Sequence, residues 1–345
     1  MKRTLSLIMM AGLLAAATLR AQVDNTQTIT KTGTTVAQFL KIGVDARGTA
    51  MGGAFAAMAG DLSAMYWNPA GLGHYQGLGT MFVHNQWLAD MNFNYAAVAF
   101  EVRGLGTLGL SVTSLSAPDD FVRTVERPEG TGELFDANDL ALGLTYARRL
   151  TDRFAIGGTA KFIRQNLWHM SANAVALDIG ALFTTPFRNV RLGASISNFG
   201  SDLRLDGRDI RFSNDPDPTN EGNVEFVNAM YETEKFPLPL SFRVGLATEI
   251  YQNDNVRVTV GLDALHPNDN AESINTGAEV VLNEMLFLRG GYSTLFRSES
   301  EEGLTLGGGL HYRLWGSSTK LKIDYAYADF GLLENVQRFS LGVNF

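Results

Sequence analysis

The sequence predicts an all-β protein: a transmembrane antiparallel β-barrel of about 14 strands, with a short helical N-terminal hatch in its lumen. From about residue 79 onward, apolar and polar residues alternate in segment after segment, which is the pattern of strands with two different faces. Tight connections between these segments alternate with longer ones. Beyond residue 21, no apolar run approaches the roughly 20 residues that a transmembrane helix needs.

The first 21 residues have the three-part order of a secretory signal peptide. Lys2 and Arg3 precede an apolar run from Leu5 to Leu19, and Ala21 provides the small residue at the end. A single membrane anchor is the alternative, but the run is short and rich in Ala and Gly. We therefore expect an exported chain whose residues 1–21 are removed and which is periplasmic, secreted or an outer-membrane barrel. The barrel pattern favours the last of these, in the outer membrane of a Gram-negative-type bacterium.

Composition excludes two classes of function. The chain has no cysteine, so it forms no disulfide and no thiolate metal site. Its net charge is −8, which argues against a nucleic-acid partner because phosphate binding requires a basic face.

The last ten residues show the alternation most clearly. One face carries Phe339, Leu341, Val343 and Phe345, and the other carries Arg338, Ser340, Gly342 and Asn344. The pattern predicts 14 strands, an even number as bacterial single-chain barrels require. They begin near Gly79, Phe93, Gly106, Asn138, Arg153, Asn173, Asn189, Leu240, Asn255, Ser273, Met285, Gly303, Ser318 and Val336.

The connections predict the orientation of the barrel. Tight ones are expected at 103–105, 151–152, 186–188, 252–254, 283–284 and 315–316, and the intervening ones are longer, notably 117–137 and 200–239. Short periplasmic turns and longer outer loops produce this order. The C-terminus then lies at the turn end, where Phe339, Leu341, Val343 and Phe345 would be the signal for a barrel-assembly machinery. A soluble secreted β-sandwich adhesin is the alternative, although its loops have no reason to sort by length.

Residues 45–76 precede the first strand and are rich in Gly, Ala and Met. Asp45 is predicted to cap a helix over 46–59, and a second element, "SAMYW", ends at Asn68-Pro69. Small residues allow a helix to approach a wall closely. The expected domains are a lead segment at 22–44, a hatch at 45–76 and the barrel at 77–345.

The stretch "VDARGTAMGGAFAAMAGDLSAMYWNPAGLG" resembles the N-terminal signature of the PorV/PorQ family, relatives of the FadL-type fatty-acid transporter barrels. The matching positions, together with Gly48 of the same hatch signature, are Asp45, Arg47, Met51, Gly52, Gly53, Asp61, Trp67, Asn68, Pro69, Ala70 and Gly71. The resemblance implies a 14-stranded outer-membrane barrel with an N-terminal hatch. It also implies a role either in type IX secretion or in uptake of hydrophobic compounds.

The leading hypothesis is a non-enzymatic barrel that binds exported protein or secretion partners through its outer loops. The alternative is a FadL-like channel for small hydrophobic molecules such as long-chain fatty acids, with Met51, Phe55, Met58 and Met65 lining the ligand. Outer-membrane lipid is an expected partner in both cases. A continuous apolar pocket lined by these residues would favour transport, whereas a lumen filled by polar side chains and a hatch with no cavity would favour partner binding.

Several local features have two interpretations. Asp45 and Arg47 could pair with wall charges such as Arg148, Arg149 or Asp178, or could serve as a helix cap and a solvated arginine. The run 68–71 is a movable hinge or a fixed turn, and turn chemistry favours the second. The glycines of "GGGL" at 307–310 would let the hatch or a ligand approach the wall.

No catalytic set, metal site or cofactor site is predicted. The histidines are scattered without a ligand spacing, and no G-x-S-x-G occurs. The loops 117–137 and 200–239 together carry an excess of nine negative charges. Residues 214–223 have oxygens enough for calcium, but their prolines depart from the known loop spacing, so a solvated acidic loop is expected.

Overall fold

Fourteen antiparallel strands close into one ring around the N-terminal segment. The computed structural model describes residues 31–217, 219, 226–297, 300–315 and 317–345. The predicted signal peptide at 1–21 and part of the acidic run 214–223 lie outside these residues.

The barrel strands are numbered here along the chain. They are β1 Leu78–Gln86, β2 Asn92–Val102, β3 Gly106–Ser116, β4 Ala137–Thr151, β5 Phe154–Leu167, β6 Met170–Thr184, β7 Arg191–Gly200, β8 Ser241–Gln252, β9 Val256–Pro267, β10 Ser273–Leu282, β11 Leu286–Leu295, β12 Leu304–Arg313, β13 Lys320–Asp329 and β14 Asn335–Asn344. Short strands in the loops are Asp120–Phe121, Leu134–Phe135, Leu203–Arg204, Asp206–Gly207, Arg211–Asn214, Val227–Met230 and Lys235–Phe236.

The ring is closed by pairing of the first and last strands. β1 pairs with β14 from Gly79 opposite Asn344 to Gln86 opposite Gln337. Each of the other barrel strands pairs with two neighbours, so these fourteen leave no free edge. The predicted strands are confirmed, with starts displaced by no more than three residues, as for Asn173 predicted and Met170 observed. Closure also overturns the β-sandwich alternative.

The two faces of the wall have opposite chemistry, as the alternation predicts. In β14, Phe339 and Leu341 are 55% and 47% exposed on the outside. Arg338, which precedes Phe339, and Ser340, which lies between Phe339 and Leu341, are 2% and 6% exposed and face the lumen. An apolar outer face and a polar inner face are what a strand between lipid and lumen requires.

The rule that short turns alternate with long loops holds with one correction. β5 and β6 are joined at the loop end by only two residues, Trp168 and His169. These strands are 14 and 15 residues long, so the hairpin itself extends past the rim of the barrel and is closed by a tight turn. The loops at 117–136 and 201–240 are long, as predicted, and fold into small hairpins.

The lumenal segment is less helical than predicted. Helix α1 spans only Ala46–Ala50, and the predicted continuation to 59 is wrong, because Gly52 and Gly53 adopt φ angles of 66° and 77° that an α-helix cannot contain. Helix α2 spans Ala64–Trp67 and ends at Asn68, as predicted. Short 3₁₀ turns cover Gln38–Lys41, Pro69–His74, Leu88–Asp90 and Gly331–Leu333. Within the described residues, no helix combines the length and apolarity needed to cross a bilayer.

Candidate functional site

A belt of glycines lets the hatch backbone lie directly against the wall. If Gly157 carried a Cβ, that atom would lie 2.5 Å from the carbonyl carbon of Pro69. At Gly261 the Cβ would lie 2.8 Å from the carbonyl oxygen of Ala54. Such distances are too short for a side chain, so glycine is required at these positions. The other wall glycines in contact with the hatch are Gly79, Gly109, Gly180, Gly193, Gly245, Gly277, Gly291 and Gly307.

The predicted close approach at "GGGL" is thus confirmed for Gly307, which faces Ala50 of α1. Many of the belt glycines pair across neighbouring strands. Gly157 lies opposite Gly180, and Gly277 lies between Gly261 and Gly291. The belt is therefore continuous over much of the circumference, and the wall is shaped to fit the hatch.

Hydrogen bonds from wall side chains satisfy the irregular hatch backbone. Asp263 of β9 accepts from the N–H groups of Phe55 and Ala56 at 2.9 and 2.8 Å. Ser195 of β7 donates to the carbonyl of Trp67 at 3.1 Å, and Thr305 of β12 donates to that of Ala50 at 3.1 Å. A buried segment outside regular secondary structure needs such partners because its polar groups cannot reach water.

Arg47 locks α1 to the wall through ion pairs. Its Nε and Nη2 donate to the two carboxylate oxygens of Glu279 at 2.8 and 2.7 Å, and its Nη1 lies 3.2 Å from Asp61. Arg289 donates to the same Glu279 at 2.7 Å and to Asp324 at 2.6 Å. The Glu279 side chain is 1% exposed, so this network lies almost entirely away from water.

The predicted partners of Asp45 and Arg47 were wrong. Arg47 pairs with β10, and Asp178 pairs instead with Lys161 of β5. Arg47 is also no solvated arginine, because its side chain is 17% exposed. The spacing in the sequence gives no direction around the ring, so it could not show which wall strand α1 would face.

Asp45 does cap α1, as predicted. Its carboxylate accepts from the N–H of Gly48 at 2.8 Å and from the indole N–H of Trp67 at 2.6 Å. Burial, together with the nearby charge of Asp61, raises the pKa of Asp45 above its usual value. Burial alone would also raise the pKa of Asp61, but Lys322 and Arg47 outweigh it and hold that pKa well below its usual value. The two carboxylates of the hatch thus have different electrostatic surroundings.

Asn68 to Gly71 form a fixed turn. The Asn68 amide is fully buried and donates to the carbonyl of Ala56 at 2.7 Å and to that of Ala181 in β6 at 3.1 Å. Its side-chain oxygen accepts from the N–H of Ala70 at 3.1 Å. Asn68 therefore joins both halves of the hatch to the wall, which is the geometry of the turn interpretation.

A cavity of about 470 Å³ lies above the hatch, toward the loop end of the barrel. Gly52, Gly53, Tyr66 and Trp67 of the hatch form its floor. Its walls combine apolar residues with charged ones. The apolar group includes Phe39, Leu40, Trp87, Leu265 and Phe330, and the charged group is Lys41, Lys161, Arg243, Asp269, Arg297, Glu302, Asp329 and Arg338.

The four residues predicted to line a hydrophobic ligand do not line this cavity. Met51, Phe55, Met58 and Met65 are between 0% and 4% exposed. The first three pack with Ala155, Leu182 and Ala247 of the wall, and Met65 packs in a second apolar cluster. Their apolar side chains seal the hatch against the strands beneath the cavity.

The sequence analysis missed two parts of this region. The first is the lead segment, which reaches the loop end of the barrel. There Asp269, in the loop after β9, accepts from Thr35 at 2.6 Å, from Gln38 at 2.9 Å and from Lys41 at 3.1 Å. Arg243 is the other omission, and its guanidinium lies 4.8 Å from the centre of the Trp67 ring. Its signal was visible, because the alternation in β8 places Arg243 on the lumenal face between the apolar Phe242 and Val244.

Comparisons with known proteins agree with this architecture. The family model described as "Type IX secretion system protein PorV" matches residues 23–220. No curated protein matches the chain.

Solved structures of similar fold include the Pseudomonas putida toluene transporter TodX, at 12% identity and a TM-score of 0.53, covering 87% of this chain and 97% of that one. The Ralstonia pickettii toluene transporter TbuX has 14% identity and a TM-score of 0.52, with coverage of 87% and 97%. The CymD monoaromatic hydrocarbon channel has 13% identity and a TM-score of 0.53, with coverage of 88% and 98%. At these identities the likeness concerns the fold.

Proposed function

Because this outer-membrane barrel belongs to the PorV family of type IX secretion system proteins, we propose that it binds exported protein or a component of the secretion machinery at its outer loops. It does so without catalysing a reaction. The apolar outer face lies against outer-membrane lipid, and the C-terminal strand is recognised by the barrel-assembly machinery.

The observation that supports this proposal most strongly is the closed lumen beneath the cavity. The hatch contacts ten wall strands at their glycines and is held by Arg47, Asp263 and Asn68. Two smaller voids among the described residues, one beside Asp45 and Asp61 and one beside Met65, have about 20 Å³ each, roughly the space of one water molecule. This close packing of hatch and wall in the described residues supports a lumen that is closed to solutes beneath the cavity.

The outer loops offer the surface for a partner. They carry the excess of nine negative charges, and they also expose large apolar side chains. Phe121 is 53% exposed, and Phe212 stacks on Tyr231 with ring centres 4.6 Å apart in the longest loop. Apolar and aromatic side chains inside a charged rim are typical of protein–protein interfaces.

Copurification from detergent, with mass spectrometry of both bound proteins and bound lipids, tests the proposal. We expect secretion-system or exported proteins to copurify with the intact chain. Replacing residues 120–135 by a short Gly-Ser linker should remove them without changing the heat-modifiable migration of the folded barrel. Recovery of no protein partner, or of the same partners with the shortened loop, would count against this role.

A second function is favoured by the cavity itself. A site of about 470 Å³ is within the usual range for small-molecule pockets, and the structural neighbours include a toluene transporter and a monoaromatic hydrocarbon channel. In this alternative, hydrophobic compounds enter from the loop end and leave past a displaced hatch. Recovery of a bound hydrophobic compound without a protein partner in the same experiment would favour the channel.

A further inference from the structure

The short turns at the periplasmic end differ in charge from one side of the barrel to the other. The turns after β2, β4 and β6 together contain three arginines and one aspartate. The turns after β8, β10 and β12 contain two acidic residues and neither lysine nor arginine. Because consecutive strands are neighbours in the ring, the first three turns lie side by side. The positive charge of the turns is therefore concentrated on one half of this rim.

Arg148 adds to this charge from the outer face of β4. It lies between Tyr146 and Leu150, which are 44% and 50% exposed toward lipid, and opposite the outward-facing Ile156 of β5. Ala147, the residue before it, is buried on the lumenal face. A charged side chain on the lipid face is unfavourable within the hydrocarbon and costs little only at the level of the headgroups. Arg148 thus indicates that this half of the rim lies among lipid headgroups.

Four arginines of this half have no acidic partner in the described part of the chain, and we call them the basic rim. They are Arg103, Arg148, Arg153 and Arg188. Elsewhere at this end, Arg257 pairs with Glu284 at 3.2 Å and Arg191 pairs with Glu249 at 2.7 Å. A guanidinium without a carboxylate partner can form a two-point contact with a phosphate. The basic rim therefore has unused capacity to bind phosphate groups.

Exposed apolar side chains accompany the basic rim. Leu105 and Phe187, in the turns, are 61% and 71% exposed, and the guanidinium of Arg188 lies 5.6 Å from the centre of the Phe187 ring. The turn after β2 lies directly beside Arg148, because a Cβ on Gly106 would lie 3.3 Å from the Cβ of Arg148. Guanidinium groups at headgroup level next to apolar side chains fit a phospholipid. An acidic protein domain in the periplasm has no access to the lipid-facing side of β4.

We propose that the basic rim binds an anionic phospholipid of the periplasmic leaflet, with its phosphate on Arg148 and the neighbouring turn arginines and its acyl chains along Tyr146 and Leu150. A zwitterionic phospholipid fits less well, because its ammonium group is repelled by the same arginines. The inference goes beyond the general contact of the outer face with lipid, since it selects one headgroup charge and one half of the rim. It does not depend on the function of the outer loops.

Contact quenching in lipid vesicles tests the proposal, because the lack of cysteine allows a single fluorescent label on the full chain. The label is placed on Leu105→Cys in the basic half or, as the matched position, on Met285→Cys in the turn after β10, where the side chain is 44% exposed. The vesicles contain phosphatidylethanolamine with a minor share of phosphatidylglycerol, and the quenching bromine is carried by one lipid or the other. Both leaflets have the same composition, so the orientation of the barrel does not affect the result.

At Leu105→Cys, quenching should correspond to an enrichment of phosphatidylglycerol by about fivefold over its share of the bilayer, the factor that one arginine contributes at an anionic surface. At Met285→Cys, quenching should follow the bulk share. In the Leu105→Cys background, Arg148→Gln should remove most of the enrichment, and Arg148→Lys should keep more of it because the charge remains. Arg257→Gln removes an arginine from the other half of the rim and should leave the enrichment unchanged.

Heat-modifiable migration confirms in each variant that the barrel is folded. The proposal is overturned if quenching at Leu105→Cys follows the bulk share, if both labelled positions show the same enrichment, or if Arg148→Gln keeps it. The first of these results would leave the basic rim to an acidic periplasmic protein instead of a lipid.

Discussion

The ion pair between Arg47 and Glu279 should account for much of the hatch's attachment to the wall. Their side chains are 17% and 1% exposed, and two hydrogen bonds of 2.7 and 2.8 Å join them. Removing one partner of a buried pair costs about 3–5 kcal/mol when the other charge is left uncompensated, and the lower value applies here because Glu279 also pairs with Arg289 and Arg47 also pairs with Asp61. If all of this cost falls on docking, about 3 kcal/mol shifts the equilibrium between docked and undocked hatch by roughly two orders of magnitude.

The absence of cysteine provides a direct assay. A single cysteine in place of Ala57, which is 1% exposed in the hatch, reacts with a soluble maleimide only when the hatch leaves the wall. In this background, Arg47→Gln and Glu279→Gln should each raise the labelling rate by about a hundredfold. Because both remove the same pair, the double variant should fall well short of the summed effects.

Glu284→Gln is the matched control, since Glu284 pairs with Arg257 at a turn and its side chain is 58% exposed. An exposed pair contributes about 0–1 kcal/mol, so labelling should change little. Protection that survives both Arg47→Gln and Glu279→Gln would refute the claim that this pair holds the hatch.

Three further predictions follow from the same contacts. Gly291→Ala places a Cβ against the backbone of Met51 and Gly52 and should weaken hatch docking by about 1–3 kcal/mol, seen as faster Ala57→Cys labelling. The adjacent Gly290→Ala places its Cβ 3.5 Å from the Leu306 side chain and 3.9 Å from the Thr305 carbonyl oxygen, which are ordinary contacts, so it should label like the parent, and equal effects of the two variants would contradict the glycine belt. Burial alone would raise the pKa of Asp269, but its contacts with Thr35, Gln38 and Lys41 outweigh burial and lower that pKa. These contacts therefore contribute their full stabilisation above the ordinary aspartate pKa of about 3.9. The stabilisation is lost as the pH falls through the lower pKa of Asp269 in the folded protein. Residues 35–42 should therefore stay protected from hydrogen exchange at pH 4 in the parent protein and lose protection in Asp269→Asn already at pH 7. Fast exchange in both proteins would show that Asp269 does not hold the lead segment. Deleting Phe345, whose N–H donates to Leu78 at 2.8 Å, should lower the folded fraction in cells, whereas Trp315→Ala, an aromatic 98% exposed, should not, and normal assembly without Phe345 would remove it from the assembly signal.

The barrel could be predicted from the sequence because each strand carries its own signal. Alternation in β14 determines that Phe339 faces lipid and that Arg338 faces the lumen. If this strand slipped by one residue, Arg338 would face lipid instead. Strand starts were therefore located closely from local pattern alone. The two-residue connection at Trp168 and His169 was missed because its length depends on how far β5 and β6 extend beyond the rim.

The hatch was predictable in place but not in contacts. Its composition and position before β1 indicated a lumenal segment, and Asp45 indicated the start of α1. The length of α1 was overestimated because Gly52 and Gly53 were treated as tolerated helix residues, whereas they adopt left-handed angles against the wall. The partner of Arg47 could not be derived, because Glu279 is 232 residues away along the chain.

The cavity depends on packing among segments distant in sequence. Its floor comes from the hatch, one wall comes from the lead segment, and Arg243 comes from β8. The methionine-rich hatch suggested a site for a hydrophobic ligand, but Met51 and Met58 pack against the wall and seal the lumen. The cavity is instead lined by apolar and charged side chains from the lead segment, the hatch and the wall.

Conductance in planar bilayers tests the central claim, that the hatch closes this barrel, most directly. Deleting residues 45–59 removes α1 and the backbone that lies against the glycines of β7 to β12. The full chain should show almost no ion current, and the shortened chain should show stable open channels. Equal currents from the two proteins would contradict the account.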